Sequence, residues 1–241
     1  MSNNILFIFE GAKTEKSITD NLVKFFVNEN TVITSAYCTT IYKMYSDISN
    51  DEYLDTFNLV KELEPNKETL KNFKRTDFAQ IYMFFDYDGH TSNASDEKLQ
   101  ELLDFFNEET DKGKLYISYP MVEALKHIEC LNTFEALKVK CKENIYYKKV
   151  VSDNCMETLK HFHLYDADTW KNVIEIHLKK MNKIVNDTFI FPEEIIDQIT
   201  IFDNQLEKHI ITSQTVAVLS AFPVFLHDYY GNEELRKRIE K

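Results

Sequence analysis

The chain has 241 residues, 44% of them hydrophobic, and can therefore bury a sizeable core in one large domain or two small ones. Its 40 Asp and Glu outnumber its 28 Lys and Arg, which gives a formal net charge of −12. Phosphate contacts normally draw on clustered Lys and Arg, so this charge excludes indiscriminate binding of a polyanion. Any contact with nucleic acid is expected to be local, through metal ions, or with help from a partner.

Cysteine use and hydropathy predict a cytoplasmic protein. The four cysteines show no short paired spacing, and no secretory leader precedes the first strand-like segment. The longest apolar stretches fall well short of the roughly 20 residues that span a bilayer. We therefore expect a soluble chain in a reducing compartment, without a membrane partner.

The first third of the chain predicts a β-α-β unit followed by a helical insertion. Residues 4–9 form an apolar run of strand length, and residues 32–38 predict a second strand. Between them, an apolar stripe at helical spacing predicts a helix. The residues of this stripe are Ile18, Leu22, Phe25 and Phe26. From Thr39 to about Arg75 the pattern is mainly helical and polar, which we interpret as an insertion.

A second β-α-β passage follows the insertion. Residues 79–85 form another apolar strand, and Ser95 is the predicted N-cap of the next helix. Residues 115–118 predict a short strand. Pro120 then stands where a helix can begin without losing a needed N–H.

The remainder of the chain has helical periodicity. One stripe runs from Trp170 to Met181, and Pro192 is predicted to open a further helix. No Gly/Ser-rich linker precedes this part, so we expect residues 129–241 to form an α-helical C-terminal region packed on residues 1–128. The predicted fold class is α/β, with a mainly parallel sheet, a helical insertion at about 39–75 and a C-terminal α-helical subdomain.

Acidic residues follow three of the predicted strands. In open α/β sheets, ligands bind outside the carboxyl ends of the parallel strands. Glu10, the segment 86–89 and Glu123 are all expected at that edge. Two of the chain's four glycines, Gly11 and Gly89, directly follow an acid at the end of a strand, as a tight turn or a close backbone approach requires.

The spacing of Asp86 and Asp88 indicates a cation site. Two residues apart in extended geometry, both carboxylates project to the same side of the chain. Mg²⁺ prefers oxygen ligands and keeps several waters, so two or three carboxylates suffice to bind it. We predict that Glu10, Asp86 and Asp88 bind Mg²⁺, with Mn²⁺ as an alternative. A solvated turn would also explain the Asp-Gly pair, since both residues are common in turns.

Three further residues are candidates at the same edge. Glu123 would lie in the first turn of a helix, where it would complete a second metal site or simply favour the helix N-terminus. Lys13, in the loop just past Glu10, is a candidate to contact a phosphate or stabilise a leaving oxyanion, although surface lysines usually do neither. Glu15 is predicted to support the site without binding the metal.

Two segments resemble the Toprim domain, the catalytic fold shared by topoisomerases, primases and some nucleases: Phe9-Glu10-Gly11-Ala12-Lys13-Thr14-Glu15 and Phe85-Asp86-Tyr87-Asp88. The resemblance covers about residues 4–128 and implies a Toprim-like, Rossmann-like sheet. It also implies that Glu10 acts in general acid/base or metal-assisted catalysis, and that Asp86 and Asp88 hold Mg²⁺.

A narrower similarity rests on the Glu-Gly-x-x-Thr-Glu opening and on Tyr119-Pro120-Met121-Val122-Glu123. Both are similar to Toprim nucleases of the overcoming-lysogenisation-defect type and to related bacterial anti-phage effectors. This similarity implies a nuclease acting in antiviral defence by abortive infection, rather than a polymerase or topoisomerase. Several such effectors work with a separate ATPase, which is an expected partner here because the chain has no G-x-x-x-x-G-K-[ST] loop.

Other interpretations stay open at this point. Residues 85–89 also approximate the Asp-x-Asp-Gly-Thr motif of a haloacid-dehalogenase-like phosphatase, but His90 stands at the Thr position and Glu10 is left unexplained. A non-catalytic Toprim-like regulatory subunit would instead bind a partner through its C-terminal aromatic residues. The sequence does not separate DNA from RNA as substrate, and a homodimer is open because it is the commonest soluble assembly.

Overall fold

A computed structural model describes residues 3–27, 31–38, 41–49, 55–90 and 94–240. The chain forms two compact units, one of Met1–Phe85 with Glu97–Leu115 and the other of Asp86–Asp96 with Tyr116–Lys241. The division falls inside two strands of one sheet, which begin in the first unit and end in the second. The sequence-based division into 1–128 and 129–241 stays a prediction.

A five-stranded sheet has the strand order β2-β1-β3-β5-β4. Its strands are β1 (Asn3–Phe9), β2 (Thr31–Tyr37), β3 (Gln80–Asp86), β4 (Asn107–Glu108) and β5 (Gly113–Ser118). The first strand pairs in parallel with β2 on one side and with β3 on the other, while β4 and β5 are antiparallel. The α/β class and the mainly parallel sheet predicted from the sequence are therefore confirmed.

The apolar runs form the buried strands for a simple reason. A parallel strand covered on both faces must be apolar at every position, and residues 5–9 and 81–85 are each at most 3% exposed. The helices of the first unit are α1 (Thr14–Phe26), α2 (Ile41–Ser49), α3 (Thr56–Glu62), α4 (Lys67–Leu70) and most of α5 (Asp96–Phe105). The described part of the predicted insertion is thus helical; residues 39–40 and 50–54 lie outside the described ranges.

The second unit is mostly helical. Its helices are α6 (Tyr147–Asn154), α7 (Ala167–Asn186), α8 (Gln198–Gln205), α9 (Ile211–Ser213) and α10 (Ala221–Ile239). A π-helical segment, Leu206–Ile210, joins α8 to α9. A two-stranded antiparallel sheet pairs β6 (Lys138–Lys140) with β7 (Thr215–Ala217). Within the described ranges, no helix is both long and apolar enough to cross a membrane.

Two predicted helix starts and one stripe position differ from the structure. A short 3₁₀ helix, Val122–Lys126, follows Pro120 in place of an α-helix, because the Pro120 carbonyl instead accepts the N–H of Tyr87 (3.1 Å). The helix predicted from Pro192 begins only at Gln198. Phe25, predicted on the buried face of α1, is 39% exposed.

Candidate metal centre

Three of the predicted ligands come together at the carboxyl ends of β1 and β3. The pairing register aligns Phe9 with Phe84, so the residues that follow these two strands emerge side by side. Glu10, Asp86 and Asp88 each offer a carboxylate oxygen, and these oxygens all lie within 4.8 Å of one another. The first strand has β2 on one side and β3 on the other, which makes this edge the topological switch point where α/β sheets bind ligands.

The turn after β1 is braced from the first turn of α1. The Gly11 N–H donates to Glu15 Oε1 at 3.1 Å, and the Glu15 side chain is buried. A Cβ on Gly11 would meet the two carboxylate oxygens of Glu15 at 2.8 and 2.9 Å, so a larger residue there would displace the Glu15 side chain. Glu15 therefore holds the backbone next to Glu10, while its role in supporting a metal site stays a prediction.

The turn after β3 is held by backbone hydrogen bonds within the second unit. The Tyr87 N–H donates to the carbonyls of Ser118 (3.0 Å) and Pro120 (3.1 Å). Asp88 has a left-handed backbone with φ of +41°, a conformation that Asp tolerates better than most residues. A Cβ on Gly89 would lie 2.4 Å from a ring carbon of Tyr87, which leaves no room for a side chain there. The backbone that carries the Asp88 carboxylate is thus held in place.

Tyr87, between the two aspartates, anchors the turn through its side chain. Its ring is 1% exposed and its hydroxyl donates to Asp96 Oδ1 at 2.6 Å. The Lys142 ammonium in turn donates to both oxygens of Asp96, at 3.0 and 2.8 Å. Burial, followed by the hydrogen bond to Asp96, raises the pKa of Tyr87 well above its ordinary value, so this phenol stays protonated and keeps donating.

Asp88 carries a carboxylate oxygen whose hydrogen-bonding capacity is unused. Its Oδ1 is buried and has no hydrogen-bond partner among the described residues, and His90 Nδ1 is 4.0 Å away. Burial raises the pKa of Asp88, His90 and Lys148 oppose that rise, and Glu123 adds to it. A buried acceptor without a donor is costly unless it is compensated. A group of carboxylate oxygens, one of them without a hydrogen-bond donor, is a suitable ligand set for a hard divalent cation.

Glu123, the predicted fourth ligand, is near Asp88 but outside the group of three. It lies in the 3₁₀ helix with a side chain only 7% exposed, and its Oε1 is 3.5 Å from the Lys148 ammonium. Its other oxygen, Oε2, is buried without a hydrogen-bond partner in the part of the chain that the structure describes. Its carboxylate therefore has one oxygen engaged by a lysine and one available to a second cation.

Lys13, the predicted phosphate contact, is exposed at the N-cap position of α1. The loop joining β1 to that helix therefore places it three residues past Glu10. This position is compatible with the predicted role, which stays a prediction.

Two residues that the sequence did not single out belong to the surroundings of Asp86 and Glu123. Tyr147 is 5% exposed, and its pKa is raised by burial first and then by the charges of Glu123 and Asp86. Its hydroxyl is 2.9 Å from His127 Nδ1, and burial lowers the pKa of His127. Lys148, the next residue in the sequence, has its ammonium 3.5 Å from Glu123 Oε1. The Tyr-Tyr-Lys-Lys run at residues 146–149 is the signal that could have drawn attention to them.

Comparisons with protein-family models, with curated proteins and with solved structures give no match to this chain. The Toprim resemblance therefore stays a prediction that rests on the motifs and on the site.

Proposed function

We propose that this chain is a Mg²⁺-dependent nuclease that hydrolyses phosphodiester bonds of nucleic acid at the Glu10–Asp86–Asp88 centre. The observation that carries the proposal is the convergence of three carboxylates within 4.8 Å, one of them with a buried oxygen that has no donor among the described residues. A cation between them would offset the mutual repulsion of the three carboxylates. Mn²⁺ would serve as a substitute for Mg²⁺ because it also accepts oxygen ligands.

The residues have distinct roles in this proposal. When bound, Mg²⁺ supplies charge stabilisation to the scissile phosphate and lowers the pKa of an attacking water. Asp86 and Asp88 hold the ion, while Glu10 is both a ligand and the group that accepts the proton of that water. Lys13 contacts the phosphate from the loop after β1. Glu123 offers a position for a second ion next to Asp88.

The motifs support a more specific assignment within this proposal. The acids stand where the Toprim resemblance expects them, at the ends of adjacent parallel strands, and the chain after residue 129 is mainly helical. We further propose that the protein is a Toprim nuclease of the overcoming-lysogenisation-defect type and a cytoplasmic anti-phage effector. The phosphatase alternative needs further metal ligands after a later strand, and it leaves Glu10 without a role.

The direct test is cleavage of plasmid DNA and of total cellular RNA with added Mg²⁺. We expect cleavage by the wild type, its loss in excess EDTA, its return when Mg²⁺ is restored, and a strong loss in Glu10→Gln. The substrate that is cut assigns DNA or RNA. Activity that persists in excess EDTA would contradict the proposal, and rapid hydrolysis of small phosphomonoesters would favour the phosphatase.

A nuclease in its host's cytoplasm must be restrained, so the proposal includes a controlling partner, for which a separately encoded ATPase is the candidate. Expression of the free chain should be toxic, and Glu10→Gln should remove the toxicity without lowering the amount of protein. Strong cleavage in vitro by a chain that is harmless when expressed alone would argue against such control.

A further inference from the structure

A cavity of about 390 Å³ opens beside Asp88 in the second unit. Its volume lies within the range of about 300–1,000 Å³ that small-molecule sites occupy. The walls come from the turn after β3, from Pro120 and Met121, and from residues 140–149. Ile145 and Met121 pack on the small hydrophobic cluster of Tyr147, Val151 and Cys155, which gives the cavity an apolar side. A flat, apolar group with a polar edge would fit this lining.

The segment 138–149, which we call the basic-aromatic segment, is locally basic in an acidic chain. It contains five lysines and a single acid, Glu143, whereas the whole chain carries a net charge of −12. Three of these lysines, Lys140, Lys148 and Lys149, are exposed and line the cavity. Lys149 also forms an exposed ion pair with Asp153, four residues along α6, which a phosphate can replace. The cavity that Asp88 lines is therefore also lined by lysines. Local clustering of this kind is what binding to phosphate requires.

An aromatic ring stands at the rim of the same cavity. Tyr146 is 74% exposed, which is unusual for so large a hydrophobic side chain. Its backbone is left-handed, with φ of +52° and ψ of +49°, and its N–H donates to Asn144 Oδ1 at 2.9 Å. The backbone is thus fixed while the ring is left in solvent. Exposed aromatic rings flanked by lysines are the surfaces on which unpaired bases stack.

We propose that this cavity binds an unpaired nucleobase of the nucleic acid substrate, with Tyr146 stacking on the base and Lys140 and Lys149 contacting the flanking phosphates. The inference rests on the proposed function, since it takes the acidic centre as the place of phosphodiester cleavage. It assigns the substrate class: single-stranded nucleic acid, or a loop or extruded base, rather than an intact duplex. A base inside a duplex cannot enter a cavity of this size without unpairing.

Binding can be measured separately from cleavage. Fluorescence anisotropy in EDTA would compare a labelled oligothymidine with a blunt-ended duplex, using wild type, Tyr146→Ala, Tyr146→Asn and Tyr146→Phe. Asn tolerates the left-handed backbone at this position better than Ala does. A loss of binding in both variants would therefore come from the missing ring and not from misfolding. We expect Ala and Asn to weaken oligothymidine binding by about 5- to 150-fold, as the loss of one stacked base implies. The Phe variant should stay within about twofold, because it keeps the ring.

A control substitution at Ile211, which is 70% exposed and outside the cavity, should leave binding unchanged. Equal affinity of wild type, Tyr146→Ala and Tyr146→Asn for oligothymidine would overturn the inference, as would equal affinity of the wild type for duplex and single strand. Metal-dependent cleavage that persists with those results would leave the proposed function standing. Tyr146-dependent binding without cleavage would support the cavity assignment and refute the nuclease.

Discussion

The Asp88→Asn substitution separates the cost of assembling the acidic centre from its ability to bind metal. The carboxylate oxygens of the centre lie within 4.8 Å of one another. At that separation two like charges repel by about 1 kcal/mol in a water-like medium and by about 3.5 kcal/mol at an effective dielectric constant of about 20. The three residues are partly exposed, so we take a total gain of about 1–3 kcal/mol for removing the Asp88 charge.

The measurement is thermal unfolding in EDTA and in Mg²⁺. In EDTA, Asp88→Asn should unfold about 2–12 °C above the wild type, because a gain of 1 kcal/mol raises the midpoint of a chain of this size by about 2–4 °C. Mg²⁺ at ten times its dissociation constant should stabilise the wild type by about 1.4 kcal/mol and leave the variant unchanged. Asp104→Asn, which neutralises an exposed aspartate on α5, is the matched control. A lower midpoint for Asp88→Asn in EDTA, with an undiminished response to Mg²⁺, would refute the reasoning.

Two further predictions concern buried basic groups of the second unit. Burial lowers the pKa of His177 to about 3 and that of His227 to about 4. Below about pH 6.5 these histidines bind protons in the unfolded chain but stay neutral in the folded chain. Each should therefore lower the free energy of unfolding by about 2 kcal/mol between pH 7 and pH 5. A free energy of urea unfolding that is the same at pH 7 and pH 5 would contradict this prediction. The buried Lys180 ammonium donates to three backbone carbonyls between Phe134 and Leu137 at 2.6–3.0 Å. Lys180→Met should therefore lower the free energy of urea unfolding by about 3 kcal/mol or more. A variant as stable as the wild type would argue against these hydrogen bonds.

The sheet and the acidic centre were accessible to sequence reasoning because both are local patterns. The apolar runs that form β1 and β3 are continuous, and each is followed directly by an acid. The rule that parallel strands expose their carboxyl ends at one edge then brings Glu10 to Asp86 and Asp88 without further information.

What the sequence did not predict depends on contacts between distant segments. The helix after Pro192 starts late because Asn232 Nδ2 donates to the Pro192 carbonyl at 2.8 Å, and Asp197 then caps the helix by accepting the Thr200 N–H at 2.7 Å. The pairing of β6 with β7 joins strands far apart in the chain. Local periodicity contains no record of either contact.

The surroundings of the acids were missed for the same reason. Lys148 reaches Glu123, and Tyr147 contacts His127, only after the chain has folded. The net charge of the whole chain is negative, and it conceals the local excess of lysines in the basic-aromatic segment. A local charge count over residues 138–149 would have separated it from its neighbours.

The central claim is that Mg²⁺-dependent cleavage requires Asp86 and Asp88. The measurement is the initial rate of Mg²⁺-dependent cleavage of plasmid DNA and total RNA by wild type and by the double variant Asp86→Asn/Asp88→Asn. Asp104→Asn/Asp111→Asn, which neutralises two exposed aspartates outside the centre, serves as the matched control. We predict cleavage by the wild type and the control, and none by the Asp86/Asp88 variant. Cleavage by that variant at the wild-type rate would contradict the account.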